Sequence, residues 1–232
     1  MNKTHLFVGT VALFVLPNIA SAVVIDFESE TEGFLGTSYS FGDVTFRDVN
    51  NVSGFYADGA PFGPGDPGSQ LIIENATLFY NDFPSFGSPI NVLTFGSAFV
   101  PGDNLSIGAL ASVYMDFATA VDSVSFDIAF YENGPWGDIT YHLDAISGGN
   151  VVASDSFVIA NGGGRDNGTW QSMSVSGATF DTVQLYATKN GSYTVPRGMI
   201  DDLTFNPVPE PASMLVLGLG AMAVSFKRKL RR

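Results

Sequence analysis

The chain has 232 residues, of which 23 are acidic and 10 basic, giving a formal net charge of −13 at pH 7, and it contains no cysteine. The lack of cysteine excludes disulfides, thiolate catalysis and zinc–thiolate sites. The negative charge argues against a nucleic-acid partner, because binding to phosphates needs clustered Lys and Arg.

The N-terminus has the pattern of a secretory signal peptide. Lys3 precedes an apolar run at residues 6–16, and Ala20-Ser21-Ala22 fits the small-residue cleavage rule. We therefore predict a signal peptide over residues 1–22 that signal peptidase removes after Ala22. An uncleaved membrane anchor is the alternative, but the apolar run is shorter than the ~20 residues that usually span a bilayer.

Residues 23–206 have a β pattern. Apolar and polar side chains alternate over residues 123–130 and 139–144, so each segment predicts a strand with one buried face. Ser147-Gly148-Gly149-Asn150 predicts a hairpin turn. Further strands are predicted at residues 23–28, 44–48, 71–80, 92–95, 113–117, 151–159, 170–175, 183–188 and 200–205.

The strand pattern predicts the fold class. No segment of residues 23–206 has a convincing 3.6-residue apolar period over ten or more residues, and no repeat of fixed period occurs. Short strands joined by Gly-rich turns predict an all-β domain, a single antiparallel β-sandwich of jelly-roll type. An up-and-down barrel is the competing architecture.

Several Gly- and Pro-rich loops carry aromatic side chains. Residues 53–69 contain five Gly and three Pro, and the loop at 132–138 is also aromatic. Exposed aromatic rings in such loops can stack on the C–H faces of a pyranose, whereas the structural alternative is that they pack under their own loops. The candidate glycan-binding residues are Tyr56, Phe62, Trp136, Arg165 and Trp170.

Acidic residues near the two ends of the domain suggest a calcium site. Asp26 and Glu28 lie on the predicted first strand, where alternate residues share a face, and Asp201 lies on the predicted last strand. Terminal strands of jelly rolls often lie side by side, and Ca²⁺ takes six to eight oxygen ligands. Ca²⁺ is therefore the one candidate cofactor. The alternative is that these carboxylates occupy solvent-facing strand positions.

Catalysis has little support in the sequence. After loss of the signal peptide His142 is the only imidazole, and the alternation places it on the polar side of its strand. No Gly-x-Ser-x-Gly, His-Glu-x-x-His or phosphate-binding glycine loop with Lys is present. We expect no enzymatic activity, and the less favoured alternative is glycoside hydrolysis by a pair of carboxylates.

The C-terminal residues 207–232 combine three elements. Pro207, Pro209 and Pro211 interrupt regular structure, and residues 212–226 form an apolar run of 15 residues, about 22 Å as a helix. That length is short for a stable membrane span, but the run lacks the polar face of a soluble helix. The chain ends in basic residues that favour the cytoplasmic side of a membrane. They are Lys227, Arg228, Lys229, Arg231 and Arg232.

This order of elements resembles the C-terminal sorting segment of PEP-CTERM proteins. Val208-Pro209-Glu210-Pro211, the apolar helix and the basic tail all match that family's pattern. The resemblance implies export, transient retention in the inner membrane by the tail, and cleavage near the motif by an exosortase, an integral-membrane transpeptidase. The family accompanies exopolysaccharide production, so a role at the cell surface or in the matrix, with exopolysaccharide as a candidate partner, follows by analogy.

Removal of both ends changes the charge of the protein. Lys3 and the five basic tail residues are lost, as is Glu210, which leaves 4 basic against 22 acidic residues and a net charge of −18 over residues 23–206. The sequence thus predicts an exported, acidic, non-enzymatic protein with a structural or adhesive role. The alternative is a carbohydrate-binding module, with or without calcium as a stabilising ion.

Overall fold

A computed structural model describes residues 21–66, 68–75, 86–87, 90–96, 109–131, 138–159 and 168–209 of the chain. Residues 21–208 form one compact unit. Every regular element in these residues is a strand: β1 Val23–Ile25, β2 Gly33–Gly36, β3 Tyr39–Phe41, β4 Val44–Arg47, β5 Gly54–Phe55, β6 Pro61–Phe62, β7 Gln70–Asn75, β8 Asn91–Gly96, β9 Ser112–Tyr131, β10 Ile139–Ser147, β11 Asn150–Ile159, β12 Gly168–Lys189, β13 Ser192–Tyr193 and β14 Met199–Pro207. The predicted all-β class is confirmed.

Two long strands organise the sheet. β9 and β12 pair antiparallel from Gly168↔Tyr131 to Tyr186↔Ser112, and the register shifts between Ser176 and Thr182. Such bulges add local twist and allow one strand to serve two layers. On one side of the bulge the sheet runs β3-β4-β9-β12-β10-β11, and on the other side it runs β2-β7-β8-β14-β9-β12.

The two halves of the sheet share one hydrophobic core. Phe46 and Met115 from the first half belong to the same buried cluster as Leu71, Phe95 and Ile128 from the second half. All five side chains are at most 2 % exposed. The alternation seen in the sequence explains this core, since every second residue of each strand points inward.

β14 lies inside the second half of the sheet. Its neighbours are β8 and β1 on one side and β9 on the other. Val23 pairs with Phe205 in the antiparallel β1–β14 ladder. The backbone N–H of Val208 donates to the carbonyl of Ala120 at 2.7 Å, so the pairing with β9 continues to the end of the described domain.

The structure corrects the predicted strands in three places. The sheet is mixed, because β13 and β5 pair in parallel at Tyr193↔Gly54. The first strand ends at Ile25, since Phe27 is fully buried with φ of 57° and the chain turns there. The segments predicted separately at 113–117 and 123–130 are one strand, as are 170–175 and 183–188.

The Ser147–Asn150 hairpin is confirmed. Ser147 pairs with Asn150, and Gly148 and Gly149 both have positive φ, as a two-residue primed turn requires. Most of the predicted signal peptide and of the C-terminal segment lies outside the described residues. Among the residues that the structure covers, no helix is long and apolar enough to cross a membrane.

Candidate functional site

The outer face of the first half-sheet carries ordered rows of polar and aromatic side chains. The register places Arg47, Tyr114, Gln184, Asp144 and Ser154 in one row across five strands. The neighbouring row contains Ser112, Tyr186, His142 and Ser156. On β9, β10 and β12 the residues between these positions point into the core. We call the two rows together the polar face.

Hydrogen bonds hold the centre of the polar face. The Tyr186 hydroxyl donates to Asp144 Oδ2 at 2.9 Å, and Ser154 donates to Asp144 Oδ1 at 2.7 Å. The rings of His142 and Tyr186 are stacked with centroids 4.7 Å apart, and His142 Nε2 lies 2.8 Å from Thr188 Oγ1. Burial, with added contributions from Asp144, raises the pKa of Tyr186 to about 12, so this phenol stays neutral.

Arg47 is neutralised at the edge of this face. Its guanidinium donates to Asp116 through Nε and Nη2 and to Asp48 through Nη1, and it lies 4.7 Å from the ring centroid of Tyr114. The hydrogen bond with Asp116 is the main cause that raises the pKa of Arg47. A cavity of about 370 Å³ opens beside Arg47 and Asp48, with Thr37, Ser38 and Asn51 among its other lining residues.

A larger cavity of about 430 Å³ lies between the β5–β6 hairpin and the β12–β13 turn. Phe55 is 49 % exposed there, and Lys189 Nζ donates to the Ala57 carbonyl at 2.8 Å. Tyr193 packs on Tyr186 with ring centroids 5.7 Å apart, which joins the cavity to the polar face. The cavity combines aromatic surface with polar groups. Its lining residues are Phe55, Tyr56, Ala57, Asp58, Gly59, Lys189, Asn190, Ser192 and Tyr193; we call it the tyrosine cavity.

Gly54 lies next to the tyrosine cavity, where β5 pairs with β13. A Cβ atom at Gly54 would lie 2.2 Å from the Tyr193 carbonyl oxygen and 2.8 Å from the Phe62 ring, so only glycine permits the parallel β5–β13 contact. Phe62 is 4 % exposed, and its ring contacts that of Tyr56 at 5.3 Å. Phe62 therefore supports Tyr56 from below instead of facing a ligand.

Buried Asn50 anchors the loop that carries these aromatics. Its side-chain amide donates to the carbonyls of Gly68 at 2.7 Å and Ala109 at 2.8 Å, and its Oδ1 accepts from the Ala111 N–H at 2.7 Å. All three partners are backbone groups. The Asn50 side chain therefore supplies the hydrogen bonds that a neighbouring strand would otherwise give to these groups. Asn50 therefore ties the Gly68 end of the loop to its own end, which the Asn50 N–H fixes to the Ser112 carbonyl at the start of β9.

The structure does not unite the five predicted glycan-binding residues. Tyr56 and Phe62 lie at the tyrosine cavity, whereas Trp170 is on the part of β12 that belongs to the second half-sheet, 38 % exposed and in contact with Phe86. Trp136 and Arg165 lie outside the described residues. Phe55 belongs to the same aromatic loop but was not among the predicted ligands. Sequence reasoning missed Lys189 and Tyr193, although the Asn190-Gly191 pair is a standard hairpin signal that marks the turn beside them.

The predicted calcium ligands are engaged in other contacts. Glu28 Oε1 accepts backbone N–H groups of Ile90 at 2.9 Å and Asn91 at 3.2 Å. Asp201 is fully buried on β14, and its Oδ1 accepts from the Asp202 N–H at 2.8 Å. Within the described ranges no three His, Cys, Asp or Glu side chains are grouped so that they would hold a metal ion.

Asp26 also differs from its predicted place. It lies in the turn after β1, where its Oδ1 accepts from the Glu28 N–H at 3.2 Å. The acidic groups here still influence one another, since burial first, and then the charges of Asp127, Asp26 and Glu28, raise the pKa of Asp202. In the described residues Asp26, Glu28 and Asp201 thus accept hydrogen bonds from backbone N–H groups, and calcium binding by them stays a prediction.

The comparisons with known proteins identify one motif. The model of the PEP-CTERM protein-sorting motif matches residues 207–229, so the chain carries this motif at its C-terminus, as predicted. Comparison with curated proteins finds no match.

Solved structures give only distant likenesses. A cleaved adhesin domain of Lys-gingipain from Porphyromonas gingivalis is 14 % identical, with a TM-score of 0.42 over 82 % of this chain and 99 % of that one. A DUF4465 family protein from Bacteroides caccae is 12 % identical, with a TM-score of 0.38 over 86 % and 99 %. The C-terminal CBM6 of a laminarinase from Zobellia galactanivorans is 13 % identical, with a TM-score of 0.29 over 80 % and 99 %.

Proposed function

We propose that the protein is an exported envelope or matrix protein that an exosortase sorts, with a structural or adhesive and non-enzymatic role. The single observation that carries this proposal is the PEP-CTERM protein-sorting motif at residues 207–229. The precursor enters the inner membrane through its signal peptide, which signal peptidase removes. The apolar run and basic tail then hold it until cleavage near Pro209-Glu210-Pro211 releases it to the cell surface or medium.

The character of the domain supports this role. In its fine architecture we propose a jelly-roll sandwich, because two half-sheets joined by the β9–β12 ribbon enclose one core. The net charge of −18 over residues 23–206 favours solubility at an extracellular surface. A large core makes the domain independent of disulfides, which a chain without cysteine needs in an oxidising compartment.

Intact mass spectrometry tests the proposal. The protein is recovered separately from the envelope and the medium of the producing bacterium, and the exosortase is deleted in a matched strain. We expect the protein of both fractions to lack residues 1–22. In the strain with exosortase, the released protein should also lack the chain after about residue 210, and this second loss should be absent from the deletion strain. A released protein that retains its full tail in the exosortase-positive strain contradicts the proposal.

The tyrosine cavity favours carbohydrate binding as a second candidate function. Its volume of about 430 Å³ falls within the ~300–1,000 Å³ range of small-molecule sites. Phe55, Tyr56 and Tyr193 offer apolar ring surface, and Asp58 and Lys189 offer polar groups for sugar hydroxyls. A neutral glycan suits the site best, because the acidic domain repels an anionic polymer.

Affinity electrophoresis in gels that contain the bacterium's own exopolysaccharide tests this second function. We expect the full-length protein to be retarded and the Phe55→Ala variant to lose about tenfold in affinity, since an exposed ring supplies stacking area without supporting the core. Trp170→Ala is the matched control, because Trp170 lies on the other half-sheet. Equal retardation of the wild type and Phe55→Ala, or loss in the control alone, refutes the tyrosine cavity as the site.

A further inference from the structure

The sorting motif begins inside the folded domain. Its match starts at Pro207, which is the last residue of β14 and pairs with Val121 of β9. The next residue, Val208, is also held, because its N–H donates to the Ala120 carbonyl at 2.7 Å. The first residue of the motif is therefore part of the sheet, and the second is hydrogen-bonded to it.

The residues just before the motif are held from both sides. Asn206 donates through Nδ2 to Ser123 Oγ at 2.6 Å, and Phe205 is 1 % exposed with its ring 5.1 Å from that of Phe117. On the opposite side Val23, the first residue after the predicted signal-peptide cut, pairs with Phe205. The end of β14 thus lies between β1 and β9.

The sequence between the sheet and the apolar run is short. Only residues 209–211 separate Val208 from the run that starts at Ala212. Four Cα-to-Cα steps at no more than ~3.6 Å each reach about 14 Å. Enzymes that bind a peptide in extended form need its backbone N–H and C=O groups free over several residues. In this segment Asn206 and Pro207 are paired with Ser123 and Val121 of β9, and the Val208 N–H donates to the Ala120 carbonyl.

We propose that the exosortase recognises the molecule with the end of β14 detached from β9, so that opening of residues 206–208 controls the rate of processing. This inference rests on the exosortase processing proposed above. Strand ends open at lower free energy than strand centres, which makes residues 206–208 the natural place for such opening. The short spacer leaves the enzyme no other way to reach the chain on the N-terminal side of Pro209.

A reversible cross-link tests the inference in the full-length precursor. Ser123 and Asn206 are directly paired, and cross-strand partners have the Cα separation that a disulfide needs. We expect Ser123→Cys with Asn206→Cys to slow tail removal by at least about tenfold when oxidised, and reductant to restore it. The matched control is Thr140→Cys with Val158→Cys, a paired position on β10 and β11 outside the rows of the polar face, where we expect oxidation to leave processing unchanged.

A linker variant gives a second measurement that does not depend on disulfide formation. Six Gly and Ser residues inserted between Val208 and Pro209 lengthen the spacer between the sheet and the apolar run, so that processing no longer needs the strand end to open. We expect tail removal about two- to tenfold faster than in the wild type. If the oxidised cross-linked protein and the linker variant both lose their tails at the wild-type rate, the proposed opening of β14 is wrong. Exosortase processing itself is not affected by that result. Absence of tail removal in every variant, the wild type included, overturns the exosortase processing itself.

Discussion

Replacement of Glu74 with Gln is expected to stabilise the protein near pH 8 and to change its stability little near pH 4. Glu74 lies on β7 with 4 % of its surface exposed, and its Oε2 atom has no hydrogen-bond partner among the described residues. Burial is the main cause that raises the pKa of this carboxyl to about 7 from 4.5. The Glu32 charge adds to the rise, and the Thr94 hydroxyl opposes it, although no hydrogen bond of normal geometry joins Thr94 to Glu74.

The size and sign of the effect follow from the pKa. Because the folded protein binds this proton more tightly than the unfolded chain, the stability that Glu74 contributes is complete below pH 4.5 and is lost as the pH rises to about 7. At about 1.4 kcal/mol per pKa unit, the ionised carboxylate costs about 3 kcal/mol above pH 7. Gln removes this cost, and for a domain of this size the gain corresponds to roughly 6–12 °C in Tm.

Urea unfolding of the wild type and Glu74→Gln between pH 4 and pH 8.5 measures the effect. The difference between the two free energies of unfolding is expected to grow with pH and to level off above the folded pKa. Asp181→Asn, at an exposed position, is the control and should show a small difference that does not follow this curve. A difference between the wild type and Glu74→Gln that stays constant over the whole pH range refutes the reasoning.

Three further substitutions test other parts of the structure. Gly87→Ala should destabilise the domain by more than about 1 kcal/mol in thermal melts, because φ is 65° and the new Cβ would lie 2.2 Å from Asp201 Oδ2; an unchanged Tm contradicts this contact. Tyr141→Phe removes the hydrogen bond to the Arg197 carbonyl at 3.1 Å and should cost about 1 kcal/mol by urea unfolding, and no loss would show that bond to be neutral. Burial lowers the pKa of His142, so the wild type should lose stability relative to His142→Gln as the pH falls below 6.5, and parallel pH curves would contradict that burial.

The strand interiors were predictable because their alternation is local. The periods over residues 123–130 and 139–144 became parts of β9 and β10 with the expected faces buried. The joining of two predicted strands into β9 was not predictable, since residues 118–120 at the bend carry no apolar alternation. Backbone hydrogen bonds to distant residues hold the bend, from Ala118 to Asp43 and from Val208 to Ala120. The turn at Phe27 was not predictable either. The local pattern of residues 23–28 predicts a strand, but Phe27 is buried in the core with a left-handed backbone conformation.

The candidate site was less predictable than the fold. Tyr56 was identified from its loop, but Tyr193 reaches the same cavity only through the β13 pairing, which involves residues far apart in the chain. The surroundings of the acidic residues were not predictable for a related reason. Carboxylates near the ends of the domain read as ligands in the sequence, whereas Glu28 caps the backbone of Ile90 and Asn91.

The position of β14 within the sheet has a consequence for when the protein folds. A chain that crosses a membrane from its N-terminus delivers residues 199–207 last among the strands, yet these residues separate β8 and β1 from β9. Until they arrive, β9 has an open edge and the core lacks Ile200, Leu203 and Phe205. The domain therefore cannot complete its fold on the far side of the membrane before the sorting tail has reached the bilayer. The last step of folding and the retention of the tail in the membrane then occur at the same stage of export.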